Sequence, residues 1–393
     1  MSLARLAWAY LAARPLLTAL HLVLLALGMA TLVFLLLFTA QAQQRLERDG
    51  KGIDLVVGAK GSPLQLILSA IYHADIPTGN IPLAEAQLLA GHRLVAAAVP
   101  VSLGDSFRGH RIVGTDAGFF ELYGTRLARG RMLGGEMEAV LGSEAARRTG
   151  LDVGATFAGA HGLAQASTSE HAGHPYKVTG VLEPTGTAVD RLVITSLESV
   201  WEVHEGHGAP PGRREITALL VRYSSPIAAL QLPRLVNATT TMQAASPAYE
   251  GARLMNLVGA GVDTLRAFAL VLMASAALSV FIALTTALEE RRHDLALLRV
   301  LGARPLTLVA LMALEGMTLV VAGAILGLIL GHGAVEAFGS LLAGPERWPV
   351  TGWAWESGEA WLLLGATVLG AVTCLLPAYL AYRRDPLSLL LKR

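Results

Sequence analysis

The chain has 393 residues, of which 53% are hydrophobic and 16% are charged. This balance is too apolar for a soluble protein of that length, and it indicates membrane-spanning segments. The formal net charge of +1 gives no reason to expect a nucleic-acid partner. The single cysteine, Cys374, excludes a disulfide framework within one chain.

Four apolar runs are long enough to cross a bilayer, whose hydrocarbon core needs a helix of about 20 apolar residues. The sequence therefore predicts an α-helical membrane protein with four transmembrane helices and a large α+β extracytoplasmic domain inserted between the first and the second. The predicted segments are a cytoplasmic interfacial helix (1–14), transmembrane helix 1 (15–44), the α+β domain (45–262), transmembrane helix 2 (263–288), a cytoplasmic helix (289–304), transmembrane helix 3 (305–335), an extracytoplasmic loop (336–359), transmembrane helix 4 (360–382) and a cytoplasmic tail (383–393).

Basic residues near the span ends predict the orientation, because Lys and Arg concentrate in cytoplasmic loops. Arg5 and Arg14 precede the first span, four arginines separate the second from the third, and four basic residues follow the fourth. The loop 336–359 has Arg347 as its only basic residue, against four glutamates. We therefore expect both termini in the cytoplasm and the large domain outside.

The N-terminal region leaves two alternatives open. Residues 2–14 combine an apolar side with two arginines, which is typical of a helix at the membrane surface, although the same residues could extend the first span. Ala40 and Ala42 form an A-x-A pattern, as at a signal-peptide cleavage site. The apolar run exceeds the roughly 7–15 residues of a signal-peptide core, so we expect the first span to be retained.

Short runs rich in β-branched residues predict strands in the inserted domain, and helices are expected at 117–122, 143–149 and 197–202. We expect a helix over 226–258, broken at its prolines. The chain lacks a G-x-x-x-x-G-K-[ST] P-loop, so any ATP would be bound by another polypeptide. It also lacks a G-x-S-x-G elbow, an H-E-x-x-H motif and paired cysteines, so we expect no catalytic activity.

Histidines are concentrated in two polar loops of the inserted domain. Each loop contains an H-x-x-H pair with glutamates nearby, and imidazole with carboxylate suits zinc. The alternative is that both loops are merely solvated. The candidate zinc ligands are His161, His171, His174, His204 and His207.

The third span carries two features that point to helix packing. Gly323, Gly327 and Gly331 recur at four-residue spacing, which allows close approach of helices in lipid, within one subunit or across a dimer. Glu315 is an acid in an apolar run, where it would face protein or a water-filled cavity. A structural hydrogen-bonding role is favoured over a proton relay, because the spans contain few other ionisable residues.

A charged hinge, LEERRHDLALLRVLGARP (288–305), lies between the second and third spans. A short helix here would present an apolar leucine stripe flanked by arginines one heptad apart, with a glycine as its C-terminal stop. The hinge is either a docking element for a soluble partner or an ordinary basic loop. The candidate docking residues are Arg291, Arg292, Leu295, Leu298, Arg299 and Gly302.

The hinge string LEERRHDLALLRVLGARPLTLV resembles the coupling-helix signature of the FtsX-like permease family, which includes the MacB-type and LolC-type membrane subunits of ABC transporters. Glu315 and the following glycines are similar to that family's third span. Three further strings resemble its periplasmic core domain, and RRDPLSLL resembles its tail. The core-domain strings are GTDAGFFELYGTRLARGRML, AVLGSEAARRTGLDVGATF and YKVTGVLEPTGTAVDRLVI.

The resemblance implies a non-enzymatic permease subunit in the bacterial inner membrane. A separate ATPase subunit, which holds ATP and Mg²⁺, would dock at the hinge, and two permeases would pair, as a homodimer or with a related subunit. ATP hydrolysis would move the periplasmic domain without a substrate path across the bilayer, a mode called mechanotransmission. A periplasmic protein partner is also expected.

One stretch, DLVVGAKGSPLQLILSAIYHADIPTGNIP (54–82), departs from the MacB and LolC patterns and resembles a branch associated with metal supply. This departure argues against lipoprotein release and antibiotic efflux as the function of this chain. Two alternatives stay open beside zinc supply. One is a scaffold or signalling subunit that regulates a cell-envelope enzyme, and the other is a lipoprotein- or efflux-type transporter subunit.

Overall fold

The computed structural model describes residues 3–161, 174–205, 214–290, 305–341 and 350–382. The chain divides into two compact units. Among the described residues, the helical unit consists of 3–42, 258–290, 305–341 and 350–382, and the α+β unit consists of 43–161, 174–205 and 214–257.

Eleven α-helices lie within the described ranges. They are α1 (Leu3–Ala12), α2 (Pro15–Asp49), α3 (Pro63–Ala70), α4 (Leu83–Ala90), α5 (Ala117–Leu122), α6 (Ser143–Thr149), α7 (Leu197–Glu205), α8 (Pro226–Thr239), α9 (Pro247–Glu290), α10 (Pro305–Leu341) and α11 (Ser357–Tyr382). A short 3₁₀ helix covers Ala188–Arg191.

Thirteen strands, all in the α+β unit, accompany these helices in the described part of the chain. They are β1 (Leu55–Ala59), β2 (Ile81–Pro82), β3 (Val95–Phe107), β4 (His110–Thr115), β5 (Leu127–Gly130), β6 (Glu138–Leu141), β7 (Thr156–Phe157), β8 (Ala160–His161), β9 (Tyr176–Leu182), β10 (Val193–Ser196), β11 (Glu215–Ile216), β12 (Ala218–Tyr223) and β13 (Met242–Ala245).

Most of these strands form one mixed sheet with the order β13-β1-β12-β3-β4-β10-β6-β9-β5. The pairs β4/β10 and β6/β9 are parallel, and the remaining neighbours along this path are antiparallel. Strands β7 and β8 pair with β9 and β3, and β2 and β11 form a separate small sheet. The apolar runs of β1 and β12 are buried nearly throughout, as expected for strands covered on both faces.

The α+β unit has two apolar cores. In the first, buried residues of α4 and α8 pack against β1, β12 and β13. In the second, Phe157 and Tyr176 stack with their ring centroids 5.4 Å apart, among apolar residues of β6, β9 and β10. Helix α6 ends at Thr149, and the following Gly150 has a φ of 73°, the left-handed conformation common after a helix C-terminus.

In the helical unit, α2, α9, α10 and α11 are each long and apolar enough to cross a membrane. Their buried side chains form two cores, one around Met29 and Val33 and one around Val280 and Cys374. Helix α1 precedes this bundle and contacts α10. Its Ala7 and Leu11 are buried, whereas its Trp8 is exposed.

The predicted helices at 117–122 and 143–149 are confirmed by α5 and α6, and the third begins at Leu197 as predicted and continues to Glu205. The expectation of a helix over 226–258, broken at Pro233 and Pro247, was wrong in two parts, although a new helix does begin at Pro247. Pro233 lies inside α8, and the chain then forms β13, which pairs with the edge of β1 through partners such as Val56 and Ala245. The β-branched run 239–241 favours this break, and pairing with the sheet edge then overrides helix propensity.

Candidate docking and helix-packing site

The hinge between the second and third spans is bounded by two described helices. Helix α9 ends at Glu290, and α10 begins at Pro305, a residue suited to the first helical position. All six candidate docking residues fall at 291–302, which lies outside the described residues. Their proposed role therefore stays a prediction from the sequence.

One contact beside the hinge was not anticipated. The Arg14 guanidinium, between α1 and α2, donates a hydrogen bond to the Glu290 carboxylate at the last residue of α9. The Thr18 hydroxyl donates to the Leu11 carbonyl at 2.9 Å, which ties the start of α2 back to α1. The end of the second predicted span is thus joined to the N-terminal helices at the point where the hinge begins.

The three ladder glycines of α10 (Gly323, Gly327 and Gly331) face α2 of the same chain. A Cβ built on each glycine would lie within 2.5–2.7 Å of a Cβ atom of Leu25, Met29 or Val33. Such distances are shorter than real carbon contacts, so only glycine permits this approach.

Glu315 also lies on α10, where its side chain is buried. At the next residue, a Cβ on Gly316 would overlap Cys374 Sγ of α11 and would lie 3.0 Å from Leu284 of α9. The acid is therefore on a helix that packs closely against two neighbours at this level. Its expected structural role stays a prediction.

The candidate zinc ligands are only partly described. His174 has an exposed side chain. His161 lies in β8, where its backbone is paired with Asp105 of β3, and His204 lies in α7, but the side chains of both are outside what the structure describes. His171 and His207 are outside the described residues altogether. Among described residues, no group of three or more His, Cys, Asp or Glu side chains is arranged to hold a metal ion.

A buried histidine in the α+β unit was missed, because no motif surrounds it. His73 has a φ of 53°, and among described residues neither ring nitrogen has a hydrogen-bond partner. Arg111 donates from Nε to the His73 carbonyl at 3.0 Å and from a terminal nitrogen to the Asp75 carbonyl. Burial, with the charges of Arg111 and Arg191, lowers the pKa of His73 to about 3, so the imidazole is neutral.

The fold combines four helices that are long and apolar enough to cross a membrane with a separate α+β unit. A family model described as MacB-like periplasmic core domain matches residues 18–239, and one described as FtsX-like permease C-terminal matches residues 266–386. The first covers more than half of the chain. The chain therefore belongs to the MacB/FtsX-type permeases, the non-catalytic transmembrane subunits of ABC transporters, and this membership implies an ABC ATPase as partner.

The solved structures that are similar to this chain include two domains of ABC-type transporters. One is the periplasmic region of MacB from Actinobacillus actinomycetemcomitans, with 14% identity and a TM-score of 0.36 over 54% of this chain and 97% of that one. The other is the extracellular domain of the noncanonic ABC-type transporter YknZ from Gram-positive bacteria, with 14% identity and a TM-score of 0.31 over 49% of this chain and 98% of that one. No curated protein matches the chain significantly.

Proposed function

We propose that this permease subunit couples ATP hydrolysis by a separate nucleotide-binding subunit to motion of its periplasmic domain. The observation that carries the proposal is helix continuity. Helices α2 and α9 each run without a break from residues of the helical unit into residues of the α+β unit. A continuous hydrogen-bonded helix is stiff along its axis, so a displacement at one end is carried to the other.

The force would enter at the hinge (288–305). Arg292 and Arg299 would pair with acidic groups of the ATPase, and Leu295 and Leu298 would fill an apolar groove on it, with Arg291 and Gly302 bounding the contact. The contact between Arg14 and Glu290 supports this role, because it joins the end of α9 to the start of α2. A push on the hinge would then reach both helices that continue into the α+β unit.

The assembly we propose contains two permease subunits and two ATPase subunits in the bacterial inner membrane, with the α+β unit in the periplasm. ATP and Mg²⁺ would be held by the ATPase, because the permease sequence has no P-loop. The permeases would form a homodimer or pair with a related subunit. A periplasmic protein would bind the moving domain.

Copurification with the ATPase tests the docking claim. Leu298→Asp puts a charge in the apolar stripe and Arg299→Glu reverses a charge, so each should release the ATPase and abolish its stimulation by the permease. Arg93→Glu, an equal charge reversal at an exposed position of the α+β unit, is the matched control and should leave both unchanged. Full assembly and stimulation in both hinge variants would refute the docking role.

We propose zinc as the substrate of this transporter, because two loops of the α+β domain are rich in histidine. Should zinc not bind, the alternatives are a scaffold that regulates a cell-envelope enzyme, or a lipoprotein- or efflux-type subunit. A stable periplasmic partner without any transported ligand would favour the scaffold.

A further inference from the structure

The segment that leads into the fourth span exposes an unusual number of tryptophans. We call residues 350–361 the interfacial segment. Within it, the exposed fractions of Trp353, Trp355 and Trp361 are 89%, 59% and 73%. Each indole has roughly 150–250 Å² of mostly apolar surface. We therefore expect another molecule to cover these side chains.

The backbone of the interfacial segment is fastened to two other helices of the helical unit. The Gln41 side-chain amide, on α2, donates to the Thr351 carbonyl and accepts from the Thr351 N–H, both at 2.9 Å. Glu336, on α10, accepts from the Thr351 hydroxyl at 3.1 Å and from the Gly352 N–H at 2.9 Å. Residues 351 and 352 are therefore held from two sides.

A second set of contacts orients Trp355. The His332 ring on α10 has Nδ1 2.5 Å from the Gly352 carbonyl oxygen and Nε2 2.8 Å from a carboxylate oxygen of Glu359. Glu359 is fully buried, and its other oxygen accepts from the Glu356 N–H at 2.8 Å. The Trp355 indole lies over this fixed imidazole, with ring centroids 6.0 Å apart and planes 18° from parallel. Trp355 is thus in contact with a fixed ring while more than half of its surface stays exposed.

We propose that the interfacial segment binds the lipid headgroup region of the extracytoplasmic leaflet through Trp353, Trp355 and Trp361. The candidate fourth span begins at Ser357, so Trp353 and Trp355 precede its first turn by only a few residues and Trp361 lies on it. Tryptophan is enriched at this depth, because its ring is apolar and its N–H needs a polar partner. The hydrogen bonds keep the segment in one conformation, which lowers the entropic cost of binding.

The anchor has a consequence for the helices that hold it. Gln41 on α2 and the pair His332 and Glu336 on α10 all bond to residues 351 and 352. Lipid binding would therefore hold these two points of α2 and α10 and the start of α11 at one depth. This inference concerns the helical unit alone, and it would stand if the proposed coupling to an ATPase failed.

Fluorescence quenching in phosphatidylcholine vesicles tests the lipid contact. The full-length protein and its Trp353→Phe/Trp355→Phe variant are compared with lipids brominated near the headgroup, lipids brominated near the chain end, and aqueous iodide. The double variant should lose the share of shallow-bromine quenching that Trp353 and Trp355 supply, while Trp361 and Trp8 supply the remainder. Quenching by deep bromine should change little. Trp201→Phe is the control, and it should leave quenching by shallow bromine unchanged. The Trp201 indole lies in the α+β unit, where its N–H donates to the Glu215 carbonyl at 2.8 Å.

Two results would overturn the proposal. If the emission of Trp353 and Trp355, obtained as the difference between parent and double variant, is quenched by iodide and not by bromine, these tryptophans face water. If it is shielded from both quenchers, another protein covers them. The fastening is tested separately with Gln41→Ala, which removes two hydrogen bonds and no tryptophan. That variant should raise iodide access to the two indoles, and unchanged access contradicts the fastening role.

Discussion

The approach of α10 to α2 makes Gly327→Val the most informative single substitution in the helical unit. A Cβ at Gly327 would lie 2.5 Å from Met29 Cβ and 2.7 Å from the Ala26 carbonyl oxygen. The Ala26 oxygen belongs to the backbone and cannot rotate away. The two helices must therefore separate to admit the new side chain.

The loss of folding free energy in Gly327→Val depends on how tightly α10 and α2 are packed at this position. Ala26 and Met29 are each 1% exposed, so neither has space to retreat into. Adding carbons to a filled core typically costs about 1–3 kcal/mol. Separation would also loosen the neighbouring contacts of Gly323 and Gly331, so the expected loss lies toward the upper end of that range.

Gly333→Val provides a matched control on the same helix. A Cβ at Gly333 has nothing within 4 Å, so this variant makes the same change in helix propensity without the clash. The assay is the apparent midpoint of thermal unfolding of the detergent-solubilised protein, measured at one heating rate. We expect Gly327→Val to unfold several degrees below Gly333→Val. Equal unfolding midpoints of the two variants would refute this reasoning, because they would mean that α10 and α2 have space for a side chain at Gly327.

Two further predictions concern the α+β unit. The pKa of His73 is about 3 in the folded protein and about 6.5 in the unfolded chain. The stabilisation from burying the neutral imidazole is therefore complete above pH 6.5. It falls by up to about 1.4 kcal/mol per pH unit as the pH drops toward 3. In His73→Asn, the new side chain suits the positive φ and cannot titrate. The free energy of unfolding of the full-length variant should therefore depend less steeply on pH in acid than that of the parent protein. Equal slopes of the two proteins would contradict an origin in His73. For the metal, calorimetric zinc titration of the full-length protein should lose its binding signal when both H-x-x-H pairs are replaced by alanine, and unchanged binding would remove those loops from consideration. The four replaced residues are His171, His174, His204 and His207.

Much of the architecture followed from hydrophobic patterning. Runs of about 20 apolar residues predict spans, and short β-branched runs predict strands, because each pattern reports which faces are buried. Strand β13 escaped this reasoning, since its residues Met242–Ala245 have no strong strand preference and are held by pairing with β1. Such pairing joins residues far apart in the sequence and leaves no local signal.

The sites show the same limit. Glycine spacing indicated close packing of the third span, but it could not tell that the partner is α2. The bonds of Arg14 to Glu290 and of Gln41 to Thr351 join residues 276 and 310 positions apart. No spacing rule connects them, so these contacts became visible only in three dimensions. The docking role of the hinge stays a prediction from its residue types.

The most direct test of mechanotransmission measures the distance between the two α+β units in a reconstituted complex with its ATPase. A spin label at Leu88→Cys, an exposed position, reports this distance across the permease pair. We expect the distance distribution to shift when ATP is trapped in the ATPase, and the shift to vanish when Arg299→Glu is added. A distribution that ATP leaves unchanged while the complex hydrolyses ATP normally would contradict the account.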